Sequence, residues 1–126
     1  MMYLLDTHVL LWATSAPERL TPRAREIVES KQLKASVVSF WELVLKKTRK
    51  DAPVHEPAAW WDRYISRAAV EVLPVRPQHV IALDRLPEWH RDPFDRMLIA
   101  QAQCDQLAIV SADEAIAGYA VETVWL

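Results

Sequence analysis

Short apolar runs alternate along this chain with longer amphipathic segments, a rhythm that parallel α/β domains produce and few other folds can accommodate. Five runs read as strands: Tyr3 to Leu5, Ala35 to Val38, Val70 to Leu73, Leu107 to Val110 and Val121 to Trp125. They are short and mostly rich in β-branched residues, as strands covered on both faces are. Between them the spacing predicts helices over 8–14, 22–32, 40–50, 57–68, 77–84, 93–104 and 112–118. Thr21-Pro22 is a cap followed by proline at the first helical position, and Pro53 with Pro57 brackets a break. With 126 residues, 52% of them hydrophobic, the expectation is one domain over 1–126 with a sizeable core.

One of these helices carries a group that its own pattern rejects. In Asp92-Pro93-Phe94-Asp95-Arg96-Met97-Leu98-Ile99-Ala100-Gln101-Ala102, Asp95 shares a face with Leu98, Ile99 and Ala102. Turning that carboxylate inward costs several kcal/mol unless it is capped, paired or bound to a metal.

Three more acids fall near strand ends. Asp6 follows the first strand directly, Glu42 lies one turn into the helix after the second, and Asp113 comes three residues beyond the fourth. In an open parallel sheet the carboxyl ends form one rim, where ligands bind at the switch in strand order. Each acid also has a purely structural reading. Ser39 to Glu42 fits a capping box, Ser111 to Glu114 offers another, Asp92 is placed as a cap before Pro93, and Asp6 can cap its own helix. Capping and chemistry are compatible, since helix N-termini hold carboxylates while leaving other oxygens free. Converging carboxylates repel, and a hard divalent cation such as Mg²⁺ or Mn²⁺ neutralises them best. Zinc is disfavoured: there is no cysteine pair, and His8, His55, His79 and His90 have no ligand spacing and read as surface or cap residues. A carboxylate-only Mg²⁺ site suits phosphodiester hydrolysis, with one ion or two about 4 Å apart, and Thr7 and Ser111 are placed to support it.

Other features narrow the class. A net charge of -2 argues against a broad basic nucleic-acid surface, and the local run Lys46, Lys47, Arg49, Lys50 reads as a solvated helix end. The lone Gly118 leaves no glycine-rich phosphate loop, and the lone Cys104 reads as small core filler. Asp6 and His8 interrupt the first apolar run, so no signal peptide or membrane span is expected and the compartment reads as cytoplasmic. Core packing is the default reading for most of Trp41, Trp60, Trp61 and Tyr64, with an apolar groove for a partner helix or a dimer face as the functional alternative. Adjacent Trp60 and Trp61 are not expected to point inward together.

Taken in order, Asp6-Thr7, Glu42 after Ser39, Asp95 in Asp-Arg-Met-Leu-Ile-Ala-Gln-Ala, and Ser111-Ala112-Asp113 resemble the four acidic positions of PIN-domain nucleases. The length, the opening Asp-Thr-His and the His-Arg-Asp-Pro-Phe-Asp segment look like the VapC-type toxins of bacterial toxin-antitoxin pairs. The resemblance implies an α/β PIN-like fold: a five-stranded parallel sheet in order 3-2-1-4-5 flanked by about seven helices. It also implies a Mg²⁺-dependent ribonuclease, a homodimer, and a cognate antitoxin that blocks the acidic pocket. By motif position, Asp6 and Asp95 would be the main metal ligands, with Glu42 and Asp113 completing the site directly or through water. Asp92 is an extra acid without an assigned role, and the RNA substrate within the family ranges over transfer, ribosomal and messenger RNA.

Rival classes fare less well. A phosphorylation-dependent receiver would want an aspartate after the third strand and a lysine after the fifth, where this chain has Pro74-Val75 and Leu126. An aspartyl phosphatase would need acid-x-acid where Asp6-Thr7-His8 stands. A catalytically idle binding domain is the standing alternative.

Overall fold

The computed structural model describes residues 1–126. Strands β1 (Tyr3–Leu5), β2 (Leu33–Ser36), β3 (Glu71–Leu73), β4 (Ala108–Val110) and β5 (Thr123–Val124) form one sheet in the order β3-β2-β1-β4-β5. Every pairing is parallel. Around it lie α1 (Thr7–Ser15), α2 (Pro22–Glu29), α3 (Val37–Lys46), α4 (Pro57–Trp61), α5 (Pro77–Asp84), α6 (Pro93–Asp105) and α7 (Glu114–Ala117). No helix is long and apolar enough to cross a membrane.

Strand pleating divides the core. Leu5 and Val110 join Val9, Leu10, Ala24, Ile27, Leu43 and Trp61 on one face of the sheet, while their neighbours Leu4 and Ile109 join Leu98, Ile99 and Ile116 on the other. Both faces are covered, which explains the continuous apolar character of β1 and β4. The order reverses at β1, whose neighbours are β2 and β4, so the switch point lies between β1 and β4.

Five expectations need correction. The β-branched pair Val37-Val38 reads as strand, yet the strand ends at Ser36: its hydroxyl accepts the Val38 N–H at 3.0 Å and starts α3 there. The Ser39 to Glu42 capping box therefore does not form, and Glu42 is the sixth residue of α3. The helix expected over 57–68 is α4 followed by a π-helical turn, Asp62–Ser66. Trp60 and Trp61 are both buried, at 9% and 8% exposure, because this segment is covered on two sides. Trp61 stacks on Phe40 of α3 with ring centroids 4.7 Å apart, while the Trp60 indole N–H points to Thr14 of α1 at 3.4 Å. Cys104 is exposed rather than core filler, since α6 buries the face carrying Leu98, Ile99 and Ala102 and leaves Cys104 outside it.

Candidate functional site

A cavity of about 310 Å³ opens at the carboxyl rim of the sheet, lined chiefly by Asp6, Glu42, Lys46, Asp92, Asp95 and Asp113. Each arrives by a local rule. Asp6 leaves β1 and caps α1, its Oδ1 accepting the Val9 N–H at 2.8 Å. Asp113 leaves β4 and caps α7, accepting from the Ala115 N–H at 2.9 Å, while its own N–H donates to the Ser111 hydroxyl. Asp92 caps α6 through the N–H groups of Phe94 and Asp95. Asp95 itself stands in the first turn of that helix. A helix that feeds a parallel strand runs back across the sheet, so the start of α6 sits at the rim where β4 ends.

Glu42 is different, because it caps nothing. It is buried, and both its oxygens have partners. Thr7 Oγ1 lies 2.9 Å from Glu42 Oε1 and 2.9 Å from Ser39 Oγ; with one proton to give, it donates to the carboxylate and accepts from Ser39. Lys46 Nζ holds Oε2 at 2.5 Å. Lys46 is thus not part of a solvated helix end: one turn beyond Glu42, it folds back into the acidic cavity.

The electrostatics follow from crowding and burial. Asp95 titrates at about 7, pushed up by desolvation and then by the charge of Asp92, with the His90 side chain opposing and Asp6 and Glu42 adding to the rise. Burial also raises Asp6, against hydrogen bonds from the Ser111 hydroxyl and the Val9 N–H. For Asp113, partial burial pushes upward, but hydrogen bonds from His90 and the Ala115 N–H outweigh it and hold the carboxyl below its usual range. One ligand atom each from Asp95, Asp113 and His90 lie within 4.8 Å of one another, and with Asp6 and Glu42 lining the same cavity this carboxylate-rich set fits a hard divalent cation.

His90 belongs to this site as well, contrary to its reading as a surface or cap residue. Its Nε2 is 2.9 Å from Asp113 Oδ2 and 3.3 Å from Asp95 Oδ2. Its Nδ1 accepts the Asp92 N–H at 3.1 Å, which assigns the ring proton to Nε2, facing the two acids. The loop that carries it is fastened: the Tyr119 hydroxyl accepts from the His90 N–H and donates to Pro87 O, to which Arg96 also donates. No local pattern signals this role, because Asp113 is 23 residues away. His79, also read as surface or cap, is fully buried and does cap, its Nδ1 accepting the Arg76 N–H, while Nε2 faces Asp105 at 3.1 Å.

Comparison with known proteins gives consistent results. The PIN domain family model matches residues 3–122. Ribonuclease VapC22 of Mycobacterium tuberculosis is 27% identical over 101 residues, covering 79% of this chain and 77% of that protein. Among solved structures, VapBC2 of Rickettsia felis, bound to a DNA fragment from its promoter, superposes with a TM-score of 0.75 at 13% identity, covering all of both chains. DNA-bound VapBC of Salmonella typhimurium gives 0.71 at 18% identity, over 98% of this chain and 97% of that one. FitAcB of Neisseria gonorrhoeae gives 0.66 at 17% identity, over 97% and 96%.

Proposed function

The chain belongs to the PIN-domain family, matched over residues 3–122, and from that premise we propose that it is a VapC-type toxin: a Mg²⁺-dependent ribonuclease acting in the cytoplasm as one domain over 1–126. The observation that carries the reading is the convergence of Asp6, Glu42, Asp95 and Asp113 on one cavity at the switch point of the sheet. Asp6 and Asp95 are the principal ligands, and Glu42 and Asp113 complete the set directly or through water, for Mg²⁺ or Mn²⁺. When bound, such a cation supplies a water of lowered pKa and offsets charge on the phosphate and leaving oxygen. The chain's own part is to hold the acids in place. Thr7 fixes the Glu42 carboxylate, Ser111 and the α1 terminus fix Asp6, and His90 spans Asp113 and Asp95. No side-chain nucleophile is required.

The test is cleavage of single-stranded RNA with and without Mg²⁺. Activity that appears with Mg²⁺, disappears in EDTA and is accompanied by a rise in melting temperature on adding Mg²⁺ is the expected result; cleavage unaffected by EDTA would exclude a metal enzyme. A protein that binds Mg²⁺ and RNA without cutting would instead be the idle binding domain.

Two partners complete the proposal. The neighbouring VapBC structures are of toxin-antitoxin complexes, supporting a cognate antitoxin that covers the acidic cavity; co-expression with the product of an adjacent small reading frame should abolish cleavage. A homodimer is supported by Trp41 and Leu45, one turn apart on α3 and each 57% exposed, with Val44 between them. Leu45→Glu is expected to shift the protein from dimer to monomer in sedimentation velocity without lowering its melting temperature by more than a few degrees. An unchanged sedimentation coefficient would move the dimer face elsewhere.

A further inference from the structure

Lys46 is the feature of the cavity that holding a cation does not explain. A lysine beside four metal-binding carboxylates is a competitor for them, and this one occupies an oxygen of Glu42 at 2.5 Å. Its side chain is 26% exposed and that of Glu42 is 7% exposed, so the pair faces the cavity rather than bulk water. Glu42 has no free oxygen in this arrangement, because Thr7 takes the other. A divalent cation drawn to Oε2 repels the ammonium already there, so Glu42 serves the cation best once Lys46 lets go. Its flexible four-carbon stem, anchored on α3, permits this without moving the backbone.

We propose that Lys46 is an exchangeable counter-ion: it neutralises Glu42 in the cation-free protein and, once released, binds a phosphate oxygen of the RNA backbone in the same cavity. This rests on the ribonuclease reading above. The charge accounting favours it, since Asp6, Glu42, Asp92, Asp95 and Asp113 line the cavity against one lysine. A polyanion entering such a place needs a cation on the protein side, and a released ammonium with three donors is suited to a phosphate oxygen. An ordinary exposed helical ion pair would have neither consequence.

The two halves of the exchange move in opposite directions, which makes them separable from a structural role. Lys46→Met should tighten Mn²⁺ binding, measured by calorimetry without RNA, because the competitor for Glu42 is gone. The same variant should weaken binding of a fluorescein-labelled single-stranded oligoribonucleotide about tenfold in Ca²⁺ buffer, followed by anisotropy while a gel shows the strand intact. The slope of log affinity against log salt should fall by about 0.7, the loss of one phosphate contact to a single strand. Lys46→Arg, which keeps the charge, should retain the RNA affinity and its salt slope, and covers the case in which the methionine variant folds poorly. Unchanged Mn²⁺ affinity, or unchanged RNA affinity and salt slope, in folded Lys46→Met overturns the proposal. If wild type itself binds neither Mn²⁺ nor RNA, it is the ribonuclease reading that fails.

Discussion

Asp95→Asn is expected to abolish Mg²⁺-dependent RNA cleavage while raising the melting temperature of the cation-free protein at pH 8. The two effects have one origin. Asp95 stands in the first turn of α6 on the face that buries Leu98 and Ile99, and its pKa is raised from 3.8 to about 7, first by desolvation and then by Asp92. A carboxyl whose folded pKa is raised contributes stability that is fully present below its unfolded value and is lost as pH rises through the folded value. The folded protein should therefore weaken between about pH 4 and pH 7 and level off above, by roughly 1 to 3 kcal/mol, less than a full conversion of the shift because the side chain is 22% exposed. Asparagine has no charge to bury, so its melting curve in EDTA should lack that decline. Mg²⁺ should raise the melting temperature of wild type and have little effect on the variant. Wild-type cleavage per folded molecule in Asp95→Asn, or a lower melting temperature at pH 8 in EDTA, would remove Asp95 from the metal set.

Glu42→Gln should cut cleavage by about 100-fold or more, or demand far more Mg²⁺, and barely alter the melt. Because Ser36 and not Ser39 caps α3, Glu42 has no helix-end duty to lose. Glutamine can still accept from Thr7 through its carbonyl oxygen, so the contact between α1 and α3 survives. What disappears is the charge that holds Lys46 and offers a strong oxygen to a cation. The stability cost is that of one partly exposed ion pair, about 0.5 kcal/mol, or roughly 1 to 3 °C for a domain of this size. Cleavage rate against Mg²⁺ concentration, together with a melt in EDTA, decides the matter: full activity at ordinary Mg²⁺ would make Glu42 a structural residue.

The capping readings of Asp6 and Asp92 were accurate, while the boxes read at Ser39 to Glu42 and Ser111 to Glu114 do not form, because Ser36 caps α3 and Asp113 itself caps α7. Asp6, Asp92 and Asp113 cap their helices, and the cap geometry also directs each toward the rim. The misplacement of β2 by two residues came from Val37-Val38, whose β-branched side chains suit a strand, while the preceding Ser36 hydroxyl captured the Val38 N–H and turned the chain into a helix. The same competition decided Glu42, which moved from a supposed third helical position to the sixth and lost its cap partner.

The order of elements, the parallel sheet and the placing of four acids near one rim were legible in residue types and spacing, because hydrophobic periodicity and cap chemistry act over a few residues and leave a local trace. The roles of Lys46, His90, Trp60 and Trp61 were not. Lys46 stands four residues after Glu42, the spacing of a helical ion pair, but that spacing does not say that the pair lies inside the cavity. His90 meets Asp113 only because the loop before α6 and the turn after β4 end at the same rim. Two adjacent tryptophans are both buried only because α1 and α3 cover different sides of one segment. Whether a segment is covered on one side or two, and which charges meet across 20 or more residues, is set by how the elements pack, and no short-range pattern encodes it.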